Sequence, residues 1–175
     1  QSLHRLFTMN ADGSDIRQLT TIGLHTVYST FLKPSADGTQ VIWQTVDTTV
    51  EGVRTWLAVD LATGDAREID QLEASRLLSP NGLGLTDNRD NVYAVDAEGN
   101  ETLVAPRSYM VRWSPDGTQL AAIISDPETI YQGIAVSSSD GSEFRTVLEP
   151  HYLIDSYVWS PDGTQLGLII TNPDD

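Results

Sequence analysis

The residues to weigh first for chemistry are His4, His25 and His151, because imidazole is a common metal ligand and the usual general base near neutral pH. Their spacing fits no metal-binding pattern, although a fold that gathers distant loops could set His25 and His151 at one mouth. Asp87-Asn88-Arg89-Asp90-Asn91 and Asp12-Gly13-Ser14-Asp15 are spaced loosely like calcium loops. They lack the alternating Asp pattern with a closing Glu, and turn chemistry accounts for them. The Gly-rich Asn81-Gly82-Leu83-Gly84-Leu85 has no helix after it to receive a phosphate and reads as a shortened hairpin. There is no Gly-x-Ser-x-Gly, hence no hydrolase nucleophile elbow, and no cysteine, which excludes a thiolate nucleophile, a disulfide scaffold and a cysteine-held zinc. The expectation is therefore no catalytic residue, no metal and no cofactor, and the chemistry left is recognition.

The charge narrows the partners. Ten Lys and Arg stand against 25 Asp and Glu in 175 residues, a formal net charge of −15. The cations are scattered, so there is no basic footprint, and the carboxylate excess repels phosphate backbones and anionic headgroups. Nucleic acid is not expected as a partner. No apolar run reaches the ~20 residues that span a bilayer, so membrane insertion is not expected either. A hydrophobic share of 39% and this length fit one folded domain over residues 1–175. Gln1 in place of Met points to a mature or excised domain.

The elements that must position any site are written in a repeat. One unit occurs as Ser35-Ala36-Asp37-Gly38-Thr39-Gln40, Ser79-Pro80-Asn81-Gly82-Leu83, Ser114-Pro115-Asp116-Gly117-Thr118-Gln119 and Ser160-Pro161-Asp162-Gly163-Thr164-Gln165, with glycines 44, 35 and 46 residues apart. A second unit, interleaved with it, ends at Gly13, Gly64, Gly99 and Gly141. Pro presets φ, Asp or Asn supports the turn through its side chain, and Gly takes the left-handed position, so each unit is a hairpin turn. Short apolar runs such as Met110-Val111-Arg112-Trp113, Leu120-Ala121-Ala122-Ile123-Ile124 and Leu166-Gly167-Leu168-Ile169-Ile170 read as buried strands. Ile16-Arg17-Gln18-Leu19 and Phe144-Arg145-Thr146-Val147 alternate and read as half-exposed outer strands.

Two hairpins in about 40–45 residues make a four-stranded antiparallel blade, and the radial repetition of blades is a β-propeller. Within a blade the strands are lettered a to d. Arg112-Trp113-Ser114-Pro115-Asp116-Gly117-Thr118-Gln119-Leu120-Ala121 and Leu6-Phe7-Thr8-Met9-Asn10-Ala11-Asp12-Gly13-Ser14-Asp15-Ile16-Arg17-Gln18-Leu19-Thr20 resemble the repeat of the TolB-type, WD-repeat-like propellers over nearly the whole chain. The sequence departs from that pattern at Pro34 and Ala36, which stand where Trp and Pro are usual, and at Leu78 before the shortened hairpin.

The expected fold class is all-β: a four-bladed propeller with four antiparallel strands per blade. The blades are drawn at 24–70, 74–105, 108–149 and 152–171 plus 4–20, the last closed by an N-terminal c–d and a C-terminal a–b hairpin. Inner glycines precede outer ones by 26, 17 and 24 residues, and by 25 when counted across joined termini, which suits closure. TolB-type propellers usually have six blades, so a piece of a larger ring, or an eight-bladed ring made by two chains, is the alternative.

In a propeller the d–a and b–c connections share one face, and here they vary while the a–b and c–d turns repeat. The d–a segments carry His25 and Tyr28, Glu73 and Arg76, Arg107 and Tyr109, and His151 and Tyr152. Aromatic and Arg side chains on one rim suit recognition of a protein, peptide or glycan. The b–c segments 46–54 and 126–132 are the second choice, and Trp43, Trp56, Trp113 and Trp159 read as packing. The function expected is non-catalytic binding by a monomer, or by a dimer if two chains complete one ring. The TolB resemblance implies a periplasmic or extracellular location. The alternative is the accessory propeller of a hydrolase whose catalytic domain lies elsewhere.

Overall fold

The computed structural model describes residues 5–20, 26–47, 53–88 and 91–171. It is all-β apart from one short helix, with every strand pair antiparallel. The chain divides into two compact units, Gln1–Leu78 and Ser79–Asp175.

In the first unit β1 (Phe7–Thr8) and β2 (Arg17–Gln18) form a two-stranded sheet, closed by a turn in which Gly13 N–H donates to Asn10 O at 2.9 Å. Then β3 (Thr26–Pro34), β4 (Gln40–Asp47), β5 (Val53–Asp60) and β6 (Ala66–Ile69) form a four-stranded sheet in sequence order. Alternate residues of β4 and β5 bury opposite faces, as the period of a strand requires. Trp43, Leu57 and Val59 cluster with Leu19 and Leu6 on one side, while Ile42 and Ala58 cluster with Ala74 on the other. This is why these strands read as continuous apolar runs and not as alternating ones. Gly64, at φ +79°, carries the c–d turn against the neighbouring hairpin, where a Cβ would stand 2.2 Å from Leu19 O. Only glycine satisfies both the left-handed φ and that approach.

A helix, α1 (Gln71–Leu78), follows β6. Here the structure corrects the sequence reading, which placed these residues in a loop and in the first strand of an all-β blade at 74–105. Gln, Leu, Glu, Ala, Ser and Arg are serviceable helix formers and none is β-branched. Asp70 Oδ1 caps the start by accepting from Glu73 N–H at 2.7 Å. Ala74, Leu77 and Leu78 then cover Ile42 and Ala58, an apolar stripe that a strand could not present in the same way.

The second unit holds a three-stranded sheet of β7 (Gly84–Asn88), β8 (Asn91–Val95) and β9 (Glu101–Ala105). Beside it lies a five-stranded sheet of β10 (Ser108–Trp113), β11 (Gln119–Ser125), β12 (Gln132–Ser138), β13 (Phe144–Trp159) and β14 (Leu166–Thr171). Leu120 and Ala122 face Val92, Ala94 and Val104, whereas Ala121 and Ile123 face Ile134, Ile154 and Tyr157, so β11 is packed on both sides. The packing of Gly64 recurs at Gly141, whose absent Cβ would meet Leu103 O at 2.3 Å. One stacking device therefore serves both units.

β13 adds a detail. His151 and Tyr152, expected on a connection between blades, lie in one continuous 16-residue strand, at the point where it leaves one partner strand for the next. Its first part pairs with β12, and its second part, from Leu153, pairs with β14. Gly133 lets the strand pass, since a Cβ there would sit 2.2 Å from Leu148 O and 3.0 Å from Pro150 N. The register slips opposite Gly133, and a proline without an N–H is accommodated at such a slip.

β14 departs in burial. It was expected to be a buried run, but Ile169 is 62% exposed and Val158, Leu168 and Ile170 are exposed with it. Among the described strands β14 pairs only with β13, so its remaining edge carries no neighbour.

Trp159 is part of the core, with Nε1–H donating to Arg112 O at 3.1 Å. The equivalent Trp113 packs on the Val92 cluster, but its buried Nε1 has no partner among the described residues.

Candidate functional site

The two ends of these sheets differ chemically. At one end the Ser-x-Asp-Gly turns satisfy their own polar groups. In the turn at 114–119, Ser114 Oγ donates to Asp116 Oδ1 at 2.6 Å and accepts from Gln119 N–H at 3.0 Å, and Thr118 N–H donates to the same carboxylate at 3.1 Å. The turns at 35–40 and 160–165 repeat this set, and so does the outer turn at 138–143. Serine hydroxyl bonds, followed by backbone N–H bonds, hold Asp37, Asp116 and Asp162 below the usual carboxylate range and Asp140 at about 2. Such a turn has little capacity left for a ligand.

The other end is different. In the second unit β9 passes to β10 through Pro106 and Arg107, and Arg107 sits at φ +49° with its N–H donating to Asn91 Oδ1 at 3.1 Å. Tyr109, 39% exposed, follows the buried Ser108, and Met110, 44% exposed, takes φ +51° where the β10–β11 register slips. A left-handed non-glycine residue costs about 1–2 kcal/mol, and two of them flank Tyr109. Part of what holds this bulge is Tyr157, 2% exposed, whose hydroxyl lies 2.5 Å from Met110 O and 2.6 Å from Ala121 O. Burial pushes the Tyr157 phenol well above its ordinary pKa, so it remains a donor.

Strand register brings the other elements to this end. Ser108 pairs with Ile124 and Ile124 with Gly133, while Ser125 pairs with Gln132 and Gln132 with Tyr152. The 126–131 loop, with Ile130 at 74% exposure, therefore rises between Tyr109 and His151. Arg107, Tyr109 and His151 are exposed, whereas Tyr152 packs on the Ile123–Ile134 cluster. With β11 and β12 between β10 and β13, roughly 14 Å separates the two groups, so they share a surface without touching.

In the first unit the same end carries an open, shallow cleft of about 390 Å³. Gln44, Trp56 and Ile69 form one cross-strand row in it, Arg54 lies two residues before Trp56, and Glu68, Asp70 and Gln71 complete the wall. Trp56 stands edge-on to Phe31, with ring centroids 5.3 Å apart at 71°. Tyr28 pairs with Val46 in the backbone ladder. Arg76 lies in the last turn of α1, which runs from the cleft toward the 35–40 turn, where Leu77 O meets Ala36 N–H. The structure thus places Arg76 away from the expected rim, because a helix carries it about 7 Å beyond Gln71. His25 lies outside the described residues. The cleft's Trp56 was read as packing. The signal that could have marked it is the neighbouring Arg54, already within a variable b–c segment.

Among the described residues, no three His, Asp or Glu side chains are arranged to hold a metal, and no helix is long and apolar enough to cross a membrane. No protein-family model and no curated sequence matches the chain. Solved structures do. A protein assigned as TolB from Agrobacterium tumefaciens is similar over 100% of this chain and 66% of its own, at 19% identity and a TM-score of 0.60. Hydrazine synthase of Kuenenia stuttgartiensis is similar over 98% of this chain and 51% of its own, at 16% identity and a TM-score of 0.55. The chain thus spans about two thirds and one half of these structures. At such identities the likeness gives the fold alone, and it supports a β-propeller fold.

Proposed function

We propose that this chain is a non-catalytic β-propeller binding domain that recognises a protein, peptide or glycan on the face formed by its b–c and d–a connections. The observation that carries this is the asymmetry between the two ends of its sheets. The turn end consumes its own donors and acceptors, while the opposite end leaves Arg107, Tyr109 and Met110 exposed on a strained segment, exposes Ile130 and His151 on neighbouring elements, and opens the Trp56 cleft. Aromatic and Arg groups on a rigid frame are what binding surfaces are made of. The net charge of −15 disfavours nucleic acid and anionic lipid as partners. The likeness to a TolB protein favours a periplasmic or extracellular setting.

Selection of ligands from a random-peptide display library and a glycan array tests this reading. The variant Arg107→Ala/Tyr109→Ala/His151→Ala should lose most of the selected binding, and Glu98→Gln, in an outer turn, should keep it. Equal loss in both, or in neither, contradicts the reading.

A closed four-bladed ring is the simplest count. A second reading, a larger ring, is favoured by the exposure of Val158, Ile169 and Ile170, because inner strands of a sealed ring bury both faces. The 66% coverage of the TolB structure agrees with it. In that case further blades come from another chain segment or from a second copy, and the binding face is correspondingly wider.

A further inference from the structure

The cleft on β4, β5 and β6 has a composition that narrows its ligand. We propose that it is a subsite for one pyranose ring of a glycan, stacked on Trp56; this rests on the loop-face reading above and names the ligand class for its first-unit part. Three observations combine.

The first is the indole. Trp56 is half-buried and braced edge-on by Phe31, so the part of the indole that lines the cleft is held in a fixed orientation. The axial C–H groups of a sugar ring fit such a surface, and little side-chain entropy is lost in using it. The second is the polar wall. Arg54, Glu68, Asp70 and Gln71 bring forked donors and forked acceptors around one aromatic ring. A sugar's vicinal hydroxyls each donate and accept, and need both kinds at close spacing. Among the described residues, Arg54 and Glu68 form no ion pair with each other or with another side chain. The third is shape and charge. About 390 Å³ is at the small end of ligand sites, and an open, shallow form suits one unit of a chain that enters and leaves the cleft. One Arg against two carboxylates repels a phosphate or nucleotide. A basic peptide side chain would pair with a carboxylate but leave Arg54 without an acceptor. A neutral carbohydrate satisfies the whole set.

Saturation-transfer NMR on the full chain decides this, with the methyl glycosides of glucose, galactose, mannose and N-acetylglucosamine as probes. Transfer to the ring C–H protons of at least one glycoside is expected. Trp56→Ala should abolish it. Because Trp56 also packs on Ile42 and Ala58, the exposed variants Arg54→Ala and Glu68→Ala provide the independent check, and each should weaken binding roughly tenfold. Glu98→Gln should leave it unchanged. No transfer from any glycoside overturns the proposal, as does transfer that survives both exposed variants. If the glycosides are silent while the Arg107/Tyr109/His151 variant still loses a selected peptide, the sugar subsite fails and the binding face stands. If neither responds, both fail.

Discussion

At the scale of single residues, the account turns on positions where backbone and side chain are held by one partner. Tyr157 is the clearest: its hydroxyl lies between two carbonyl oxygens, one on a residue with φ +51°. Tyr157→Phe leaves the ring in place and removes the one proton those oxygens share. It should lower stability by about 1–3 kcal/mol in urea unfolding and loosen the Tyr109–Met110 bulge, seen as faster amide exchange there. An unchanged midpoint would mean the bulge holds itself. Gly64 and Gly141 make a paired forecast, because each puts a Cβ within 2.3 Å of a carbonyl oxygen. Alanine at either should cost about 3 kcal/mol or more, whereas Gly82→Ala, with open space and only its φ of +74° against it, should cost about 1 kcal/mol. Equal effects at all three would leave φ as the whole cause and remove the stacking argument.

At the scale of elements, the turns set the response to acid. Asp37, Asp116, Asp140 and Asp162 have folded pKa values below their unfolded value of 3.8. Depressed carboxylates contribute stability that is complete above the unfolded value and is lost as pH falls through the folded one. Tm should therefore hold at pH 6 and fall between about pH 4 and pH 2, with Asp140→Asn flattening part of that slope. A Tm that drops already between pH 6 and 5 would point to other groups. These turns were legible in the sequence because their chemistry is local: Ser, Asp, Gly and Thr within six residues determine one another. What was not legible is set at a distance. Helix α1 has no Pro or Gly to announce it and replaces a strand that the repeat demands, because Ile42 and Ala58 offer an apolar surface for Ala74 and Leu77. The continuity of β13 through His151 depends on Gly133, 18 residues earlier in the chain, so the sequence showed the passage from one partner strand to the next but not that it is made without a break. Arg107 and Tyr109 were legible as exposed connection residues because they lie on a d–a segment. Trp56 packs on the Ile42–Ala58 cluster as its strand position implied, and only the neighbouring Arg54 hinted that it also lines a cleft.

At the scale of the whole molecule, the repeat dictates propeller-like blades and the ring size remains the variable. If the larger ring is right, Ile169→Lys/Val158→Lys should leave the monomer's unfolding midpoint nearly unchanged while abolishing concentration-dependent association in sedimentation. A closed four-bladed ring predicts instead a monomer at every concentration, destabilised by the two lysines. Whether recognition belongs to the connection end or to the turn end is decided by hydrogen–deuterium exchange of the full chain saturated with the tightest ligand from the peptide and glycan selections. New protection is expected only at 106–110, 126–131 and the strand edges around Arg54 and Glu68. Protection at the 79–83, 114–119 and 160–165 turns, with none at the connections, would overturn the assignment of the binding face.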